Sequence, residues 1–404
     1  MNMPGSGRIY YIVGAGISGL TLALALAKFG AHVVVLERSP VLSEFGAGLQ
    51  ISPNARHVLN DLGLDAALAA HSLEPSGIDI YPYRRPVPLV TLELGAAIRE
   101  KFGAPYAVMH RADLADALYK ACRRFANIDM LFGVRAWTAV PNDRGVSVTI
   151  EDASGQSRTG RADALIGADG VHSTTRTSLL DGPAADYRGR AAWRTLLPFD
   201  AMAGQVTLDR VSVFFAPAYH MVCYPLPHRR QVNIALFAKG PTSRSDHAKL
   251  ALPKSLRRSP RLDVILAAAG TSWTPWPLYT VQTAHWHRGN IGLIGDAAHA
   301  MEPFQAQGAA MGIEDAAILA PLLIANPNAE AAFAKFAALR RPRVERVANL
   351  SHTNGAIFHM KWPLSTARNL VIAAQGGRAH LKRLDWLYGY DAATAMRDKF
   401  PTSS

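Results

Sequence analysis

The stretch Gly14-Ala15-Gly16-Ile17-Ser18-Gly19 limits the fold of this chain more than any other. It follows an apolar run, Ile9–Val13, and precedes a run of helix-forming residues, Leu20–Phe29, and a second apolar run that ends in Glu37. Glycines at this spacing permit a tight turn, close approach to a pyrophosphate and close packing of helix on strand. An acidic residue about 20 positions later accepts hydrogen bonds from ribose hydroxyls. The stretch therefore predicts a β-α-β unit that binds a dinucleotide.

Residues Arg8–Ala27 also have the composition of a secretory signal peptide, with a basic residue, an apolar run and Ala-Leu-Ala near the end. The glycines interrupt that run at the functional spacing, and Glu37-Arg38 closes the β-α-β unit just beyond it. We therefore expect this stretch to belong to the fold of a cytoplasmic protein. We expect no other stretch to be apolar for long enough to span a bilayer.

The net charge of +12 comes from 43 basic and 31 acidic residues among 404. The basic residues are scattered and lack the repeated aromatic–basic pattern of a nucleic-acid surface, so we expect no nucleic-acid partner. An anionic cofactor and an anionic substrate also fit this sign. Cys122 and Cys223 form no CxxC pair, so the sequence predicts neither a disulfide framework nor a metal site, and a reducing compartment is favoured.

Two later segments repeat the pattern of a buried strand that ends in an acidic residue. Asp169 follows the run Asp163–Ala168, and Asp296 follows the apolar run Gly289–Ile294 and Gly295, which ends that strand. Ligands of open α/β sheets bind at the carboxyl ends of the strands. A loop rich in glycine and alanine, Pro303–Gly312, then runs into a predicted helix, so backbone near Gly308 can approach a ligand closely.

The strand and helix patterns divide the chain into three parts. We predict a dinucleotide-binding domain from residues 1–72, 106–180 and 281–345, a substrate domain of short strands from 73–105 and 181–280, and a C-terminal helical region from 346–404. Residues 330–350 and 363–390 are expected to be helical, with Arg340-Arg341-Pro342-Arg343 as a joint. The predicted fold class is α/β, with a Rossmann-like domain interleaved with a mainly antiparallel sheet and followed by helices.

The sequence contains one dinucleotide fingerprint, whereas a flavin–nicotinamide reductase of the usual kind needs two. The expected contacts come from the start, the middle and the last third of the chain. A nucleotide held by segments from all of these parts of the chain is expected to be released rarely, which favours tightly bound FAD over NAD.

Together these motifs resemble those of the single-component flavoprotein aromatic hydroxylases, the group A flavoprotein monooxygenases. The likeness is greatest to the group that contains salicylate hydroxylase, 3-hydroxybenzoate 6-hydroxylase and 6-hydroxynicotinate 3-monooxygenase. It covers nearly the whole chain, including Gly46–Asn54, His110–Leu114 and Arg383–Tyr388. The FAD contacts predicted from the motifs and this resemblance are Gly14, Ala15, Gly16, Gly19, Glu37, Arg38, Gly48, Arg111, Asp169, Asp296, Gly308 and Ala309.

The resemblance also implies an activity. NADH or NADPH would reduce the flavin without a domain of its own, with Asp169 near its entry. Reduced flavin and O₂ would give a hydroperoxide at flavin carbon 4a, which hydroxylates a small aromatic substrate of hydroxybenzoate or hydroxynicotinate type. Pro303 matches the position whose backbone lies near the oxygen-reactive face.

The segment His220–Pro225 is expected to be a strand of the substrate sheet. His220 and Tyr224 then share one face and can contact one ring, so both are candidates for the base that takes a ring-hydroxyl proton. A histidine and a tyrosine that merely pack in the sheet fit the same pattern. Gln50 and Gln305 are further candidate polar contacts, and His299 is expected to be structural.

Two alternatives remain open at this stage. One is an FAD monooxygenase that acts on a larger quinone or polyketide-type ring, and the other is a flavin-binding regulatory protein without turnover. The sequence shows no added C-terminal domain, so we expect a monomer or a simple homodimer.

Overall fold

The computed structural model describes residues 3–42, 48–143, 145–241, 251–392 and 394. Gly46 and Ala47 of the glycine-rich segment lie outside this part of the chain. In chain order the strands are β1 Ile9–Val13, β2 His32–Leu36, β3 Gly48–Ile51, β4 Ser72–Leu73, β5 Gly77–Tyr81, β6 Val90–Glu93, β7 Ala107–His110, β8 Ile128–Leu131, β9 Ala136–Asn142, β10 Gly145–Glu151, β11 Ser157–Ala162, β12 Ala164–Gly167, β13 Asp186–Pro198, β14 Arg210–Ala216, β15 Tyr219–Leu226, β16 Gln231–Lys239, β17 Thr274–Thr280, β18 His287–Arg288 and β19 Ile291–Leu293. The α-helices are α1 Ile17–Lys28, α2 Pro53–Asp61, α3 Asp65–His71, α4 Ala96–Phe102, α5 Arg111–Cys122, α6 Pro260–Ala269, α7 Asp296–His299, α8 Gly308–Ala325, α9 Ala329–Phe358, α10 Leu364–Lys382 and α11 Asp385–Tyr388.

The nucleotide-binding turn belongs to an open sheet with the strand order β18-β19-β12-β1-β2-β8. Its strands are parallel except for β18, and β1 lies between β2 and β12. Strands covered on both faces need continuous apolar runs, as β1 has. A Cβ atom at Gly19 would lie 2.0 Å from the carbonyl oxygen of Gly14, so only glycine lets α1 approach the sheet this closely.

The second large sheet has the strand order β17-β13-β16-β15-β14-β5-β6, and strands from residues 73–105 and 181–280 share it. Its pairs are antiparallel except for β5 and β14. Alternate residues of β15 separate its two faces: Met221 and Cys223 pack under α6, while His220 and Tyr224 point the other way. We call the face that carries His220 and Tyr224 the inner face. This architecture with its C-terminal helices confirms the predicted fold class.

Two small antiparallel sheets complete the β-structure of the described residues. One joins β9, β10 and β11, and the other has the order β3-β7-β4. Residues 203–208 form turns around Gly204, which has a φ of +71°, and β14 begins at Arg210.

The expected joint at Pro342 is wrong, because α9 runs unbroken from Ala329 to Phe358 with this proline inside it. A proline inside a helix removes one backbone hydrogen bond and costs about 3 kcal/mol. Buried ion pairs made by Arg340 and Arg343 hold the helix on both sides of the proline.

The expectation that no other stretch is apolar for long enough to span a bilayer is also corrected. By length and composition, the 18-residue helix α8 is apolar enough to cross a bilayer. However, 67% of it is buried inside the protein, where it contacts α1 and α9. Its apolar composition is therefore that of a core helix.

A buried ionic cluster joins α8 to α9. Arg340 is fully buried and donates to Glu314 at 2.5 Å and to Asp315 at 2.7 Å. Arg343 makes two further bonds to Glu314, at 2.7 and 2.8 Å. Burial would raise the pKa of Asp315, but His299 and Arg340 outweigh it and lower the pKa to about 2. Asp315 is therefore ionised at neutral pH.

The same cluster positions two loops. The amide nitrogen of Gly295 and Nε2 of His299 bond to Asp315 at 2.9 and 2.6 Å. On the other side, Asn54 bonds to Glu314 at 2.6 Å and to Gln307 at 3.1 Å. The cluster thus fixes the Gly295–His299 turn and the Pro303–Gly308 segment relative to α2.

We expect Arg340→Met to destabilise the fold by about 3–5 kcal/mol, because it leaves the buried carboxylate of Asp315 without its arginine and Glu314 with Arg343 as its remaining cation. Urea unfolding at pH 7 measures the effect. Lys335→Met, on an exposed position of the same helix, is the matched control and should change stability by less than about 0.5 kcal/mol. Equal stability of the two variants would contradict this account of the cluster.

Candidate functional site

The turn between β1 and α1 has the geometry of a nucleotide site. Gly14 has a φ of +105°, and Gly16 is the N-cap residue of α1, so the first amides of α1 point out of the turn. The Glu37 carboxylate accepts from the amide of Ala15 at 3.0 Å and from that of Ser39 at 2.8 Å. Glu37 is thereby held beside the turn, and Arg38 follows it as an exposed side chain.

A second backbone concavity lies where α7 and α8 begin. Asp296 is exposed, and a Cβ atom at Gly308 would lie 3.9 Å from its Oδ1 atom. The start of α8 therefore lies close to a carboxylate that is open to solvent. The positive end of an 18-residue helix and a nearby acceptor suit an electron-rich ring edge and a hydroxyl of one ligand. Ala309 follows in the first turn of α8.

Asp169 lies at the end of β12 but makes internal hydrogen bonds. It accepts from Ser173 Oγ at 2.6 Å and from the amide of Thr175 at 2.9 Å. Arg176, fully buried, then donates to the carbonyl of Ala297 at 2.7 Å. These contacts tie the loop after β12 to the Asp296 turn. The role of Asp169 as a cofactor contact stays a prediction.

Arg111 is the first residue of α5 and is half-buried. His110 precedes it as the N-cap, and its Nδ1 atom accepts from the amide of Ala112 at 3.2 Å. Burial lowers the pKa of Arg194 on β13, Tyr224 raises it, and the positive charge of Arg111 lowers it again, so Arg111 lies within electrostatic range of Arg194.

Gly48 brings β3 into direct contact with the inner face. A Cβ atom there would lie 2.4 Å from the ring of Tyr224, and the amide of Gly48 donates to Asn233 Oδ1 at 2.7 Å. Tyr224 is buried, and its burial raises the pKa of the hydroxyl, while the charge of Arg194 acts against this. Its hydroxyl is therefore neutral at physiological pH.

His220 lies in an aromatic enclosure at the other end of the inner face. Its ring stacks on Phe237 at 4.7 Å between centroids and meets Phe304 edge-on at 5.4 Å. Its Nδ1 atom is 2.8 Å from Nε2 of His359. Burial, then the charges of His359 and Arg190, lower the pKa of His220 well below its usual range. His220 is therefore neutral, and the structure brings it to the Pro303–Gln305 turn.

The two glutamines suggested by the sequence are engaged with protein groups. Gln305 accepts from Asn354 Nδ2 at 2.5 Å, and Gln50 accepts from the Tyr106 hydroxyl. Pro303 begins the turn that carries Phe304 and is itself half-buried.

Several residues that shape the site have no clear signal in the sequence. His359 follows α9, some 140 positions after its partner, so no local pattern connects the two. Arg190 and Arg194 lie on β13, and Asn233 lies on β16. The alternation along those strands would have placed Arg194 and Asn233 on the inner face once the strand register was known.

These concavities fit an extended dinucleotide. Gly14, Gly19 and Gly48 occur where a side chain would clash, and two helix starts and an acidic side chain are available for phosphates and hydroxyls. The fold and site define a dinucleotide-binding protein in which the seven-stranded sheet lies against β3 through the contact of Tyr224 with Gly48. The chain belongs to the FAD binding domain family, whose model matches residues 9–351.

Individual proteins agree with this assignment. The chain is 32% identical to 3-amino-4-hydroxybenzoate 2-monooxygenase of Streptomyces platensis, over 95% of this chain and 96% of that protein. It is 31% identical to 3-hydroxybenzoate 6-hydroxylase of Klebsiella oxytoca, over 94% and 96%. HpxO of Klebsiella pneumoniae, solved with FAD and uric acid, has the same fold, with a TM-score of 0.79 at 21% identity over 95% and 97% of the two chains. The chain is an FAD-dependent monooxygenase of aromatic compounds.

We expect Gly48→Ala to destabilise the FAD-free protein by about 1–3 kcal/mol, because the added methyl group overlaps the Tyr224 ring. Gly308→Ala is the steric control, since its Cβ atom would meet only ordinary van der Waals contact at 3.9 Å. Chemical denaturation of both variants provides the comparison. A Gly48→Ala protein as stable as the wild type would show that β3 does not contact the sheet so closely.

Proposed function

We propose that this enzyme hydroxylates the ring of a small aromatic acid, of hydroxybenzoate or hydroxynicotinate type, with NADH or NADPH as electron donor. An aromatic C–H group, O₂, NAD(P)H and one proton are converted into C–OH, NAD(P)⁺ and water. FAD, when bound, supplies electron transfer from the nicotinamide and the activation of O₂. The residues of the chain bind the ring, orient it and exclude water.

The observation that carries the substrate class is the half-buried guanidinium of Arg194 on the inner face. Within the described residues it has no hydrogen-bond or ion-pair partner, and its ring contact is Trp276, at 5.5 Å. Burial lowers the pKa of Arg194, Tyr224 raises it, and Arg111 lowers it again. A cation partly removed from water is stabilised by an anion. A substrate carboxylate supplies that anion.

The rest of the inner face suits a single ring. Arg194, Ala235 and Val222 lie in one row across β13, β16 and β15. The row spans two strand spacings, about 10 Å. Ala235 and Val222 form an apolar floor, while His220 and Tyr224 flank Val222 along β15. A carboxylate at Arg194 and a ring hydroxyl near His220 or Tyr224 fit this arrangement.

The cofactor contacts of this proposal are the residues expected from the sequence. Gly14, Ala15, Gly16, Gly19, Glu37 and Arg38 hold the nucleotide half, and Gly48, Arg111, Asp169, Asp296, Gly308 and Ala309 hold the flavin half, with Pro303 on the side where O₂ reacts. We also propose a cytoplasmic monomer or homodimer without membrane or nucleic-acid partners, in three structural domains with the boundaries predicted above.

The first test is NAD(P)H oxidation by the FAD-loaded protein with a panel of hydroxybenzoates, hydroxynicotinates and their decarboxylated phenols under ¹⁸O₂. We expect one carboxylated compound to accelerate oxidation and to gain one ¹⁸O atom, as measured by mass spectrometry. Acceleration with peroxide as the only product identifies an effector. Turnover of larger quinone-type rings alone, or no turnover at all, would contradict the proposal and favour one of the alternatives.

We expect Arg194→Met to raise KM for the carboxylated substrate roughly 10- to 150-fold, which corresponds to a lost charged hydrogen bond of about 1.5–3 kcal/mol. KM for the decarboxylated phenol should change much less. Arg188→Met is the matched control, because Arg188 lies on the same strand and pairs at the surface with Asp186 at 2.8 Å. Equal changes in KM for both compounds would show that Arg194 does not bind the carboxylate.

A further inference from the structure

The side chains of His220, His359 and Arg190 form a row joined by two contacts between nitrogen atoms. His220 Nδ1 lies 2.8 Å from His359 Nε2, and Arg190 Nη1 lies 3.4 Å from His359 Nδ1. His359 directly follows α9, so this row of side chains joins β15, the end of α9 and β13. Within the described residues, neither imidazole ring has another hydrogen-bond or ion-pair partner. The order of donors along this row therefore determines the state of both rings.

The arginine sets that order. A guanidinium group only donates hydrogen bonds, so Nδ1 of His359 must accept. A neutral imidazole carries one proton, which in His359 is then on Nε2, and this N–H donates to Nδ1 of His220. The remaining proton of neutral His220 must be on Nε2. Nε2 of His220 is thus an N–H group.

The charges around the pair keep both rings neutral. Burial, then Arg190 and Arg368, lower the pKa of His359 to about 4. Arg368 donates to the carbonyls of Ile357 and Phe358, at 3.0 and 3.1 Å. Glu302 is 3.9 Å from Arg190 and pairs with His352 at 3.0 Å. Among the described residues, no carboxylate bonds to either ring to stabilise an imidazolium.

We propose that His220 serves the reaction as a hydrogen-bond donor through Nε2–H, and that Arg190 and His359 are positioning residues that hold it in this tautomer. This inference rests on the proposed binding of the substrate at the inner face. An N–H donor favours the ring oxygen as an oxyanion, so the hydroxyl proton passes to solvent and not to His220. His220 then stabilises the ionised ring without acting as its base.

The tautomer is measured by long-range ¹H–¹⁵N NMR at pH 7 on the FAD-loaded protein labelled with ¹⁵N-histidine. The signals lost in His220→Asn and in His359→Asn assign the two rings. We expect the tautomer of His220 that carries the proton on Nε2 to exceed the tautomer that carries it on Nδ1 by at least about tenfold. A proton on Nδ1, or an imidazolium, would overturn the inference.

Reversal of the first donor gives a sharper test, because Arg190→Glu replaces a donor by an acceptor. The carboxylate should accept a hydrogen bond from His359, whose proton is then on Nδ1. Nε2 of His359 becomes an acceptor, so the proton of His220 should move to its Nδ1 atom and be donated to His359. Arg188→Glu makes the same charge change two residues away on an exposed position and should leave the tautomer unchanged. An unchanged tautomer in Arg190→Glu would overturn the role of Arg190.

A milder variant covers the case in which Arg190→Glu does not fold. Arg190→Met removes the positive charge beside His359, so the pKa of His359 should rise by about one unit or more towards its ordinary range, read from the same spectra between pH 4 and 8. An unchanged pKa would show that Arg190 does not act on His359. These results do not depend on turnover: the substrate panel tests the proposed function, and the spectra test the tautomer.

Discussion

The positions of the Gly295–His299 turn and the Pro303–Gly308 segment depend on one constraint, the buried salt bridges of Arg340. Glu314 and Asp315 are neighbours on α8, yet they hold different partners, since Glu314 bonds to Asn54 and Asp315 bonds to the Gly295 amide. A buried ion pair contributes little net stability, because desolvation offsets the Coulomb attraction. Its value here is geometric. Hydrogen bonds have defined directions and therefore specify the positions of these loops. Apolar contacts have no such direction and would allow the loops to shift.

A different constraint sets the distance between the small β3-β7-β4 sheet and the seven-stranded sheet. Gly48 lies directly against the ring of Tyr224, and its amide is bonded to Asn233. Any larger residue would separate β3 from β15, and the inner face would then lie further from the β3-β7-β4 sheet. The depth of the site is therefore determined by a missing side chain, whereas its loops are determined by buried charges.

The sequence predicts the parts of this architecture that depend on local patterns. Residues close together in the chain are enough to predict the turn at Gly14–Gly19 and the strand ends at Asp169 and Asp296. They are also enough to predict that His220 and Tyr224 lie on the same face of a strand. The helix break predicted at Pro342 is wrong, because tertiary ion pairs outweigh the local preference of proline for ending a helix. The contact of His359 with His220 is not predictable from local pattern, because residues 139 positions apart leave no periodic signal.

The inner face also has a consistent electrostatic character. Arg190 and Arg194 lie on β13, and Arg111 of α5 is within electrostatic range of Arg194. The acid Glu302 is 3.9 Å from Arg190 and is already paired with His352. Such surroundings raise the cost of any further positive charge and lower that of a negative one. A histidine placed there acts poorly as a base, because protonation would add a fourth cation. The same field favours the proposed arrangement, a carboxylate at one end of a ring and an oxyanion at the other, and it also favours the neutral state of His220 on which the proposed tautomer depends.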